Sequence, residues 1–333
     1  MKRNTIAALA LVATAAASAL GGRIVAQGAN AASLTAAKVA IADLTPPNPG
    51  TTPAPPAAIG GLKGQTLSID GSSALQPFFL NAAKYFDQGM GSSTTAIANG
   101  SGNGLKDVEA GSVKIGMSDF FAQESSTPAS FKDLVDHRVA VVAFTLVVSK
   151  DISDKVTNLT TQQVIDIYTG KVGNWAEIGG PNEAITVVNR PLASGTRATF
   201  KKYVLGGASE SAGMTLQQDS TGAVATAINS GQGAIGYIAT GFVLNPAFTD
   251  IFPICIDGYG ATAANINTGK YKFWSFEHAY TKGKPKGNSV EQAFLDYSVK
   301  ADVQGTLLPA LGYLQVSQLS KEALATHPLP MSK

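Results

Sequence analysis

The sequence predicts an α/β protein of about two domains, in which helices pack on largely parallel sheets. Three observations lead to this class. The 333 residues, 44% of them hydrophobic, can fill two ordinary cores. From residue 62 onward, β-branched segments alternate with amphipathic ones, as in strand–helix units. Residues 139–148 are almost entirely apolar, which is typical of a strand that is covered on both faces.

The first 31 residues are predicted to be an export signal. Lys2 and Arg3 precede an Ala-rich apolar stretch that ends at Leu20, and the small residues after it offer signal-peptidase sites. The alternative is an uncleaved membrane anchor, for which the stretch is short. Cleavage would remove Lys2, Arg3 and Arg23 and no acid, so the balance of 25 basic to 23 acidic residues would become 22 to 23.

The nearly neutral mature chain argues against a nucleic-acid partner or an anionic membrane, because either would need a broad basic face. Cys255 is the sole cysteine, so an intrachain disulfide is excluded and no cysteine follows the signal to carry a lipid. We therefore expect a periplasmic or secreted protein without a lipid anchor.

Residues 32–61 are predicted to be a Pro-rich linker. The stretch Leu44–Pro56 lacks the apolar periodicity of a folded element. Such a composition favours an extended, semi-rigid chain. The folded part of the protein is therefore expected to begin near Leu62.

The predicted elements then follow in order. A strand at 65–69 ends in small residues, and Pro77 fits the first turn of a helix over 77–88 whose apolar face carries phenylalanines. Glycines separate the next strand from its helix and let the backbone approach a ligand. The remaining elements are a strand at 94–98, a helix at 105–110, strands at 113–116, 139–148 and 185–188, a helix that opens at 194–196, another from 220 to 228, and a strand at 233–238.

An anion cradle is predicted where the strand at 185–188 leads into the next helix. The first amides of a helix have no intrahelical partner and lie at its positive end, so Ser194, Gly195 and Thr196 would direct N–H groups at an anion. Arg190 adds a planar guanidinium that can bind two oxygens at once. For this loop alone, an N-cap at Ser194 and a surface charge at Arg190 would explain the pattern equally well.

Similar helix starts recur along the chain. Small residues precede predicted helices at Asp70–Pro77, Asn99–Gly104 and Ser220–Gly222. Because backbone amides at such starts favour anions, the recurrence points to a shared ligand more than to capping alone.

The sequence gives little support for catalysis. A phosphohydrolase with Ser73, Ser101 or Ser194 as nucleophile would need a base or metal ions near that serine, and no cluster supplies them. The three histidines are widely spaced and show no metal-ligand pattern. We therefore predict no catalytic residues, no metal and no cofactor.

Several segments together carry a resemblance to a known family, because their order and spacing are specific. They are Gly71–Pro77, Gly100–Gly104, Ile115–Asp119, Leu159–Gln163, Tyr168–Trp175, Asn189–Phe200 and Trp274–His278. Over residues 62–320 the chain closely resembles the extracytoplasmic phosphate-binding proteins of bacterial ABC phosphate importers. That family has the type II periplasmic binding-protein fold.

The resemblance implies two lobes with mainly parallel sheets joined by crossover strands. Residues 62–143 and 250–325 would form lobe 1 and residues 144–249 lobe 2, with one dehydrated inorganic phosphate between them. By matching motif positions, the phosphate ligands would be Ser73, the amide of Ala74, Ser101 and Asp119 from lobe 1, and Arg190, Ser194, Gly195 and Thr196 from lobe 2.

Asp119 is unexpected in an anion site, and the resemblance gives it a role in selectivity. A carboxylate repels a fully deprotonated oxyanion but can accept the P–O–H hydrogen bond of a protonated phosphate. Sulfate has no such proton at neutral pH, so the site would reject it. The alternative is that Asp119 caps a turn or pairs with a lysine. At Leu192 some family members carry an aspartate that holds the arginine, so other groups must orient Arg190 here.

The partner implied by the resemblance is the membrane permease of an ABC phosphate importer, with the binding protein acting as a monomer. Two alternatives stay open. One is an exported phosphate sensor or surface protein that keeps the binding fold, and the other is a phosphohydrolase.

Overall fold

The computed structural model describes residues 52–211 and 215–330, so the predicted export signal and most of the linker lie outside the described residues. Strands and helices alternate along the described chain, as the sequence predicts. The strands are β1 (Thr66–Gly71), β2 (Ser93–Ala98), β3 (Ile115–Ser118), β4 (Leu134–Ser149), β5 (Asn158–Leu159), β6 (Thr186–Asn189), β7 (Thr215–Gln217), β8 (Ala234–Ala239), β9 (Ile251–Ile256), β10 (Trp274–Lys282) and β11 (Tyr313–Leu314). The helices are α1 (Gln76–Met90), α2 (Ser101–Ala110), α3 (Lys150–Ser153), α4 (Thr161–Tyr168), α5 (Gly195–Tyr203), α6 (Thr221–Ser230), α7 (Ala263–Asn267), α8 (Val290–Ser298), α9 (Ala301–Ala310) and α10 (Lys321–Thr326).

Strand β4 is long enough to belong to both lobes. The main path of hydrogen-bonded strands runs β2-β1-β3-β10-β4-β8-β6-β7. Residues 134–143 of β4 pair antiparallel with β10 in lobe 1, whereas residues 144–148 pair antiparallel with β8 in lobe 2. Parallel pairs lie on either side, β1 with β2 and β3 in lobe 1, and β6 with β7 and β8 in lobe 2. The predicted two-lobe α/β fold is therefore confirmed, and its crossover strand pairs antiparallel on both sides.

The chain returns to lobe 1 between β9 and β10. Strand β9 pairs with residues 146–149 of β4 and with β5, which are strands of lobe 2. The boundary predicted at residue 250 placed this strand in lobe 1, because an apolar run does not reveal which neighbour it pairs with. At the crossing, the backbone N–H of Phe144 donates to the carbonyl of Phe273 at 3.0 Å. We infer that the hinge lies at these two residues.

The core follows the hydrophobic pattern of the sequence. Residues 139–149 of β4 are buried throughout, as expected for a strand covered on both faces. In lobe 1 the phenylalanine face of α1 packs against α8. The ring centroids of Phe79 and Phe86 lie 5.1 and 5.3 Å from that of Phe294, both edge to face. Such pairs add to the stability that burial alone provides.

The described end of the predicted linker packs against lobe 1. Residues 52–61 form neither helix nor strand, yet Pro53 is buried and the carbonyl of Ala54 accepts a hydrogen bond from the Tyr297 hydroxyl at 3.1 Å. Pro56 lies so close to α1 that a Cβ at Gly89 would be 2.2 Å from its carbonyl oxygen. These residues are therefore fixed to the lobe. Over the described ranges, no helix combines the length and apolar character needed to cross a bilayer.

Candidate anion-binding site

The helix starts predicted as anion cradles converge where the two lobes touch. The carboxyl ends of β1, β2 and β3 reach this place from lobe 1, and those of β6 and β7 reach it from lobe 2, as ligand-binding edges do in parallel sheets. Helices α1, α2, α5 and α6 begin there. The residues predicted as phosphate ligands are all buried in this region: Ser73, Ala74, Ser101, Asp119, Arg190, Ser194, Gly195 and Thr196.

Helix α2 begins earlier than predicted, at Ser101 instead of residue 105. The prediction placed the three glycines before the helix, where they would let the backbone approach a ligand. In the structure the glycines allow close packing, since a Cβ at Gly104 would lie 2.7 Å from both the Gly71 Cα atom and the Met117 carbonyl oxygen. Gly100 precedes the helix with a φ of 97°, a conformation that favours glycine. Ser101 therefore lies in the first turn of α2.

Asp119 follows β3 and receives hydrogen bonds from both lobes. Its Oδ1 accepts from the Ser101 hydroxyl at 3.3 Å, and its Oδ2 accepts from the Thr196 hydroxyl of lobe 2 at 3.0 Å. Burial raises the pKa of Asp119, while hydrogen bonds from Ser72, Thr196 and Ser101 and the charge of Arg190 act to lower it. The carboxylate neither pairs with a lysine nor caps a turn in the described structure. It bridges the lobes.

The hydroxyls of Ser72 and Ser73 make different contacts at the start of α1. The Ser72 hydroxyl accepts hydrogen bonds from the amides of Ala74 and Leu75, at 3.0 and 3.1 Å. The amide of Ala74, predicted to bind phosphate, therefore has an internal partner here. The Ser73 hydroxyl instead crosses the cleft, where it lies 3.0 Å from the Thr221 hydroxyl and accepts from the Thr221 amide at 3.1 Å.

Arg190 is oriented by groups other than the aspartate that some family members carry at the position of Leu192. Its Nη1 donates to the Thr221 hydroxyl at 3.2 Å, and its Nη2 donates to the Asp219 carbonyl at 3.0 Å and to the Ser73 hydroxyl at 3.2 Å. The side chain at Leu192 is 89% exposed and takes no part. Burial lowers the pKa of Arg190 and the charge of Asp119 raises it, and a guanidinium stays protonated under these conditions. The geometry thus identifies the groups that orient the arginine.

The first turn of α5 acts both as a cap and as a lobe contact. The Ser194 hydroxyl accepts from the Arg197 amide at 3.2 Å, so the N-cap interpretation of Ser194 is correct for its side chain. The amides of Gly195 and Thr196 come first in the helix, where no intrahelical partner is available. A Cβ at Gly195 would lie 2.2 Å from the Ser101 hydroxyl oxygen and 2.8 Å from the Asp119 side chain. Glycine is therefore the residue that permits this contact.

Gly195→Ala is expected to keep the lobes from closing fully and to weaken anion binding by about tenfold, because the added methyl group must displace buried neighbours. Titration calorimetry measures the affinity, and small-angle scattering measures closure. Gly287→Ala is the matched control, since a Cβ there would meet nothing within 4 Å. A Gly195→Ala variant with unchanged affinity would show that the contact has no role in binding.

Two site residues were not among the predicted ligands. Thr221 lies in a helix start that the sequence does indicate, but its contacts with Arg190 and Ser73 join segments far apart in the chain. Glu277 is wholly buried in β10, and the mixed polar and apolar sequence of that strand does not indicate its burial. Within residues 52–211 and 215–330, no three His, Cys, Asp or Glu residues are grouped as metal ligands.

Comparison with known proteins gives one family. Residues 28–302 match the model of the PBP superfamily domain. The chain is 41% identical over 255 residues to the phosphate-binding protein PstS of Bacillus subtilis (strain 168), which covers 76% of this chain and 82% of the relative.

Solved structures share the fold. A putative phosphate ABC transporter substrate-binding protein with bound phosphate from Clostridium perfringens aligns with a TM-score of 0.65 and 26% identity, over 76% of this chain and 100% of the other. An ABC-type phosphate transport receptor from Vibrio cholerae aligns with a TM-score of 0.59 and 24% identity, over 75% and 99%. The second similarity is informative about the fold alone.

Proposed function

Because the chain belongs to the PBP superfamily, and within it to the phosphate-binding proteins of ABC phosphate importers, we propose that it binds one inorganic phosphate between its lobes. The observation that carries the proposal is the placement of Arg190 and Asp119 in one buried site, where the guanidinium suits an anion and the carboxylate suits an anion that keeps a proton. The chain would deliver the phosphate, outside the cytoplasm, to a membrane permease.

Residues of both lobes would contact the phosphate. Arg190 would offset the charge of the phosphate, and the hydroxyls of Ser73, Ser101 and Thr196 would donate to its oxygens. In this structure the Ser73 hydroxyl bonds that of Thr221 across the cleft, and the hydroxyls of Ser101 and Thr196 donate to Asp119. They would exchange those bonds for bonds to the ligand. Since each lobe supplies part of the contacts, binding would stabilise the closed form about the hinge.

Hydrogen bonding at the serines supports binding over hydrolysis. In the described part of the chain, the Ser73 hydroxyl bonds Thr221 and Arg190, that of Ser101 bonds Asp119, and that of Ser194 caps α5. None of these partners is a histidine, and the one carboxylate among them, Asp119 beside Ser101, is the group that this proposal assigns to the proton of the phosphate. Export by residues 1–31 rests on the composition of that segment, and the permease partner and the monomeric state rest on the family resemblance.

We expect calorimetry on protein stripped of bound anion to show one phosphate site per chain with micromolar or tighter affinity, about −8 kcal/mol or better, because several charge-assisted hydrogen bonds act in a buried cleft. Arsenate should compete and sulfate should bind far more weakly. Finding no heat and no thermal shift at millimolar phosphate would rule the proposal out.

Two further measurements separate the alternatives. Steady release of product from a phosphomonoester, abolished by Ser194→Ala, would favour a phosphohydrolase. Phosphate binding without any loss of phosphate uptake after deletion of the gene would favour a sensor or surface protein.

A further inference from the structure

Glu277 is buried next to the anion site in a setting unusual for a charged group. It lies in β10 between β3 and β4, with no exposed surface. Its two carboxylate oxygens accept no hydrogen bond from the described residues. A carboxylate buried in this way would lose its hydration without compensation, so the neutral acid is strongly favoured.

The face of β10 that carries Glu277 lies against Asp119. Side chains two residues apart on a strand share a face, and the hydroxyl of Ser275 on this face donates to the backbone carbonyl of Asp119. Strand β10 pairs antiparallel with β3, and His278 lies opposite Ser118, so the next residue of each strand brings Glu277 opposite Asp119. Burial raises the pKa of Glu277, and the charge and hydrogen-bonding capacity of the neighbouring Asp119 carboxylate raise it further. Two carboxyl groups in such contact share one proton.

The surroundings decide which of the two acids holds the proton. Asp119 accepts hydrogen bonds from Ser101 and Thr196 and feels the charge of Arg190, all of which favour its ionised form. Among residues 52–211 and 215–330, neither a hydroxyl donor nor a cation stabilises the ionised form of Glu277. The proton therefore resides on Glu277, and Asp119 is the anion.

The other ionisable groups nearby leave this assignment unchanged. Tyr313 of β11 interacts with both acids, and its hydroxyl donates to the carbonyl of Ala74. On β4, Asp136 is paired with His278 at 2.7 Å and lies 3.9 Å from Arg138.

We propose that Glu277 is a neutral acid that donates a hydrogen bond to Asp119 and thereby keeps Asp119 an acceptor for the proton of the bound phosphate. This inference rests on the proposed phosphate function. A carboxylate has about four acceptor positions. Once the hydroxyls of Ser101 and Thr196 turn to the phosphate, Ser72 and Glu277 remain as donors to Asp119, and positions are left for the P–O–H group. Glu277 is thus a positioning residue for selectivity.

Removing the donor would change the chemistry of Asp119. Without Glu277, burial would drive Asp119 itself to take a proton and become a donor. A protonated Asp119 can donate to sulfate, which a carboxylate cannot. The discrimination between phosphate and sulfate would then be lost while the anion site itself stays intact.

The test compares Glu277→Gln, which keeps a neutral donor of the same size, with Glu277→Leu, which removes it. Competition binding at neutral pH should show that Glu277→Leu lowers the phosphate-to-sulfate preference by about tenfold or more, while Glu277→Gln keeps it within about threefold of wild type. Infrared difference spectra of wild type against Glu277→Gln, without phosphate, should show the C=O stretch of a protonated carboxylic acid in wild type.

The outcomes are separable. An unchanged preference in Glu277→Leu, a collapsed preference in Glu277→Gln, or the absence of the carboxylic-acid band would each overturn the inference. If Glu277→Leu fails to fold, the carboxylic-acid band of the wild type and the phosphate-to-sulfate preference of Glu277→Gln still test the inference. A wild-type protein that binds no phosphate would defeat the proposed function instead, and the infrared band would still report whether Glu277 is protonated.

Discussion

Replacing Arg190 with alanine is expected to weaken phosphate binding by about 2 to 5 kcal/mol, about 30-fold to several thousandfold, the range found when one partner of a buried charge pair is removed. Arg190 is almost completely buried, and its guanidinium reaches Ser73 of the opposite lobe at 3.2 Å. Its loss leaves a buried anion without its cation. The affinity for sulfate should fall by a similar factor, because the guanidinium attracts both anions whether or not they carry a proton.

Calorimetry on a series of arginine variants checks this expectation. Arg190→Lys should recover part of the affinity, since it restores the charge but not the planar fork. Lys286→Ala is the control, because it removes one positive charge from an exposed side chain that the site does not use. Thermal unfolding establishes that each variant is folded. A folded Arg190→Ala protein with wild-type affinity would show that another group binds the anion.

The sequence predicts well the features that depend on neighbours along the chain. The apolar run in β4 and the starts of α1, α5 and α6 lie within a residue or so of where the sequence pattern predicts them, whereas α2 begins four residues earlier than predicted. Burial on both faces and the geometry of a first helical turn each restrict which residues occur, so the local pattern reports them. Ser101, Asp119 and Arg190 were predicted to share one site. The local pattern marked the loops that carry them, and the family resemblance selected these three from many polar residues.

Features that depend on distant pairing could not be predicted. Strand β9 looks like any buried strand, and only its pairing with β4 and β5 places it in lobe 2. The groups that orient Arg190 lie about thirty residues downstream, at Asp219 and Thr221. The role of Glu277 depends on Asp119, which the fold brings against the face of β10 that carries Glu277. Where a side chain acts through a partner far along the chain, local pattern does not identify the pair.

Asp119→Asn is expected to narrow the preference for phosphate over sulfate by about 5- to 150-fold, because removing the facing acceptor relieves a cost of about 1 to 3 kcal/mol for sulfate. Asn has the same shape, and its amide can donate to an oxygen of sulfate where the carboxylate could only repel it. Phosphate affinity should fall modestly, since the Asn oxygen can still accept from a P–O–H group. Arg190→Ala, by contrast, should leave the ratio of the two affinities nearly unchanged.

Competition binding of phosphate and sulfate at neutral pH measures both ratios. Asp296→Asn removes the same charge from the exposed surface of α8 and should change neither affinity. The double variant Asp119→Asn with Glu277→Gln should discriminate no worse than Asp119→Asn alone, because the two residues act through one hydrogen bond and their effects cannot add. If Asp119→Asn keeps the wild-type ratio while Arg190→Ala shifts it strongly, selectivity belongs to the guanidinium, and the proton of the phosphate is not what the site recognises.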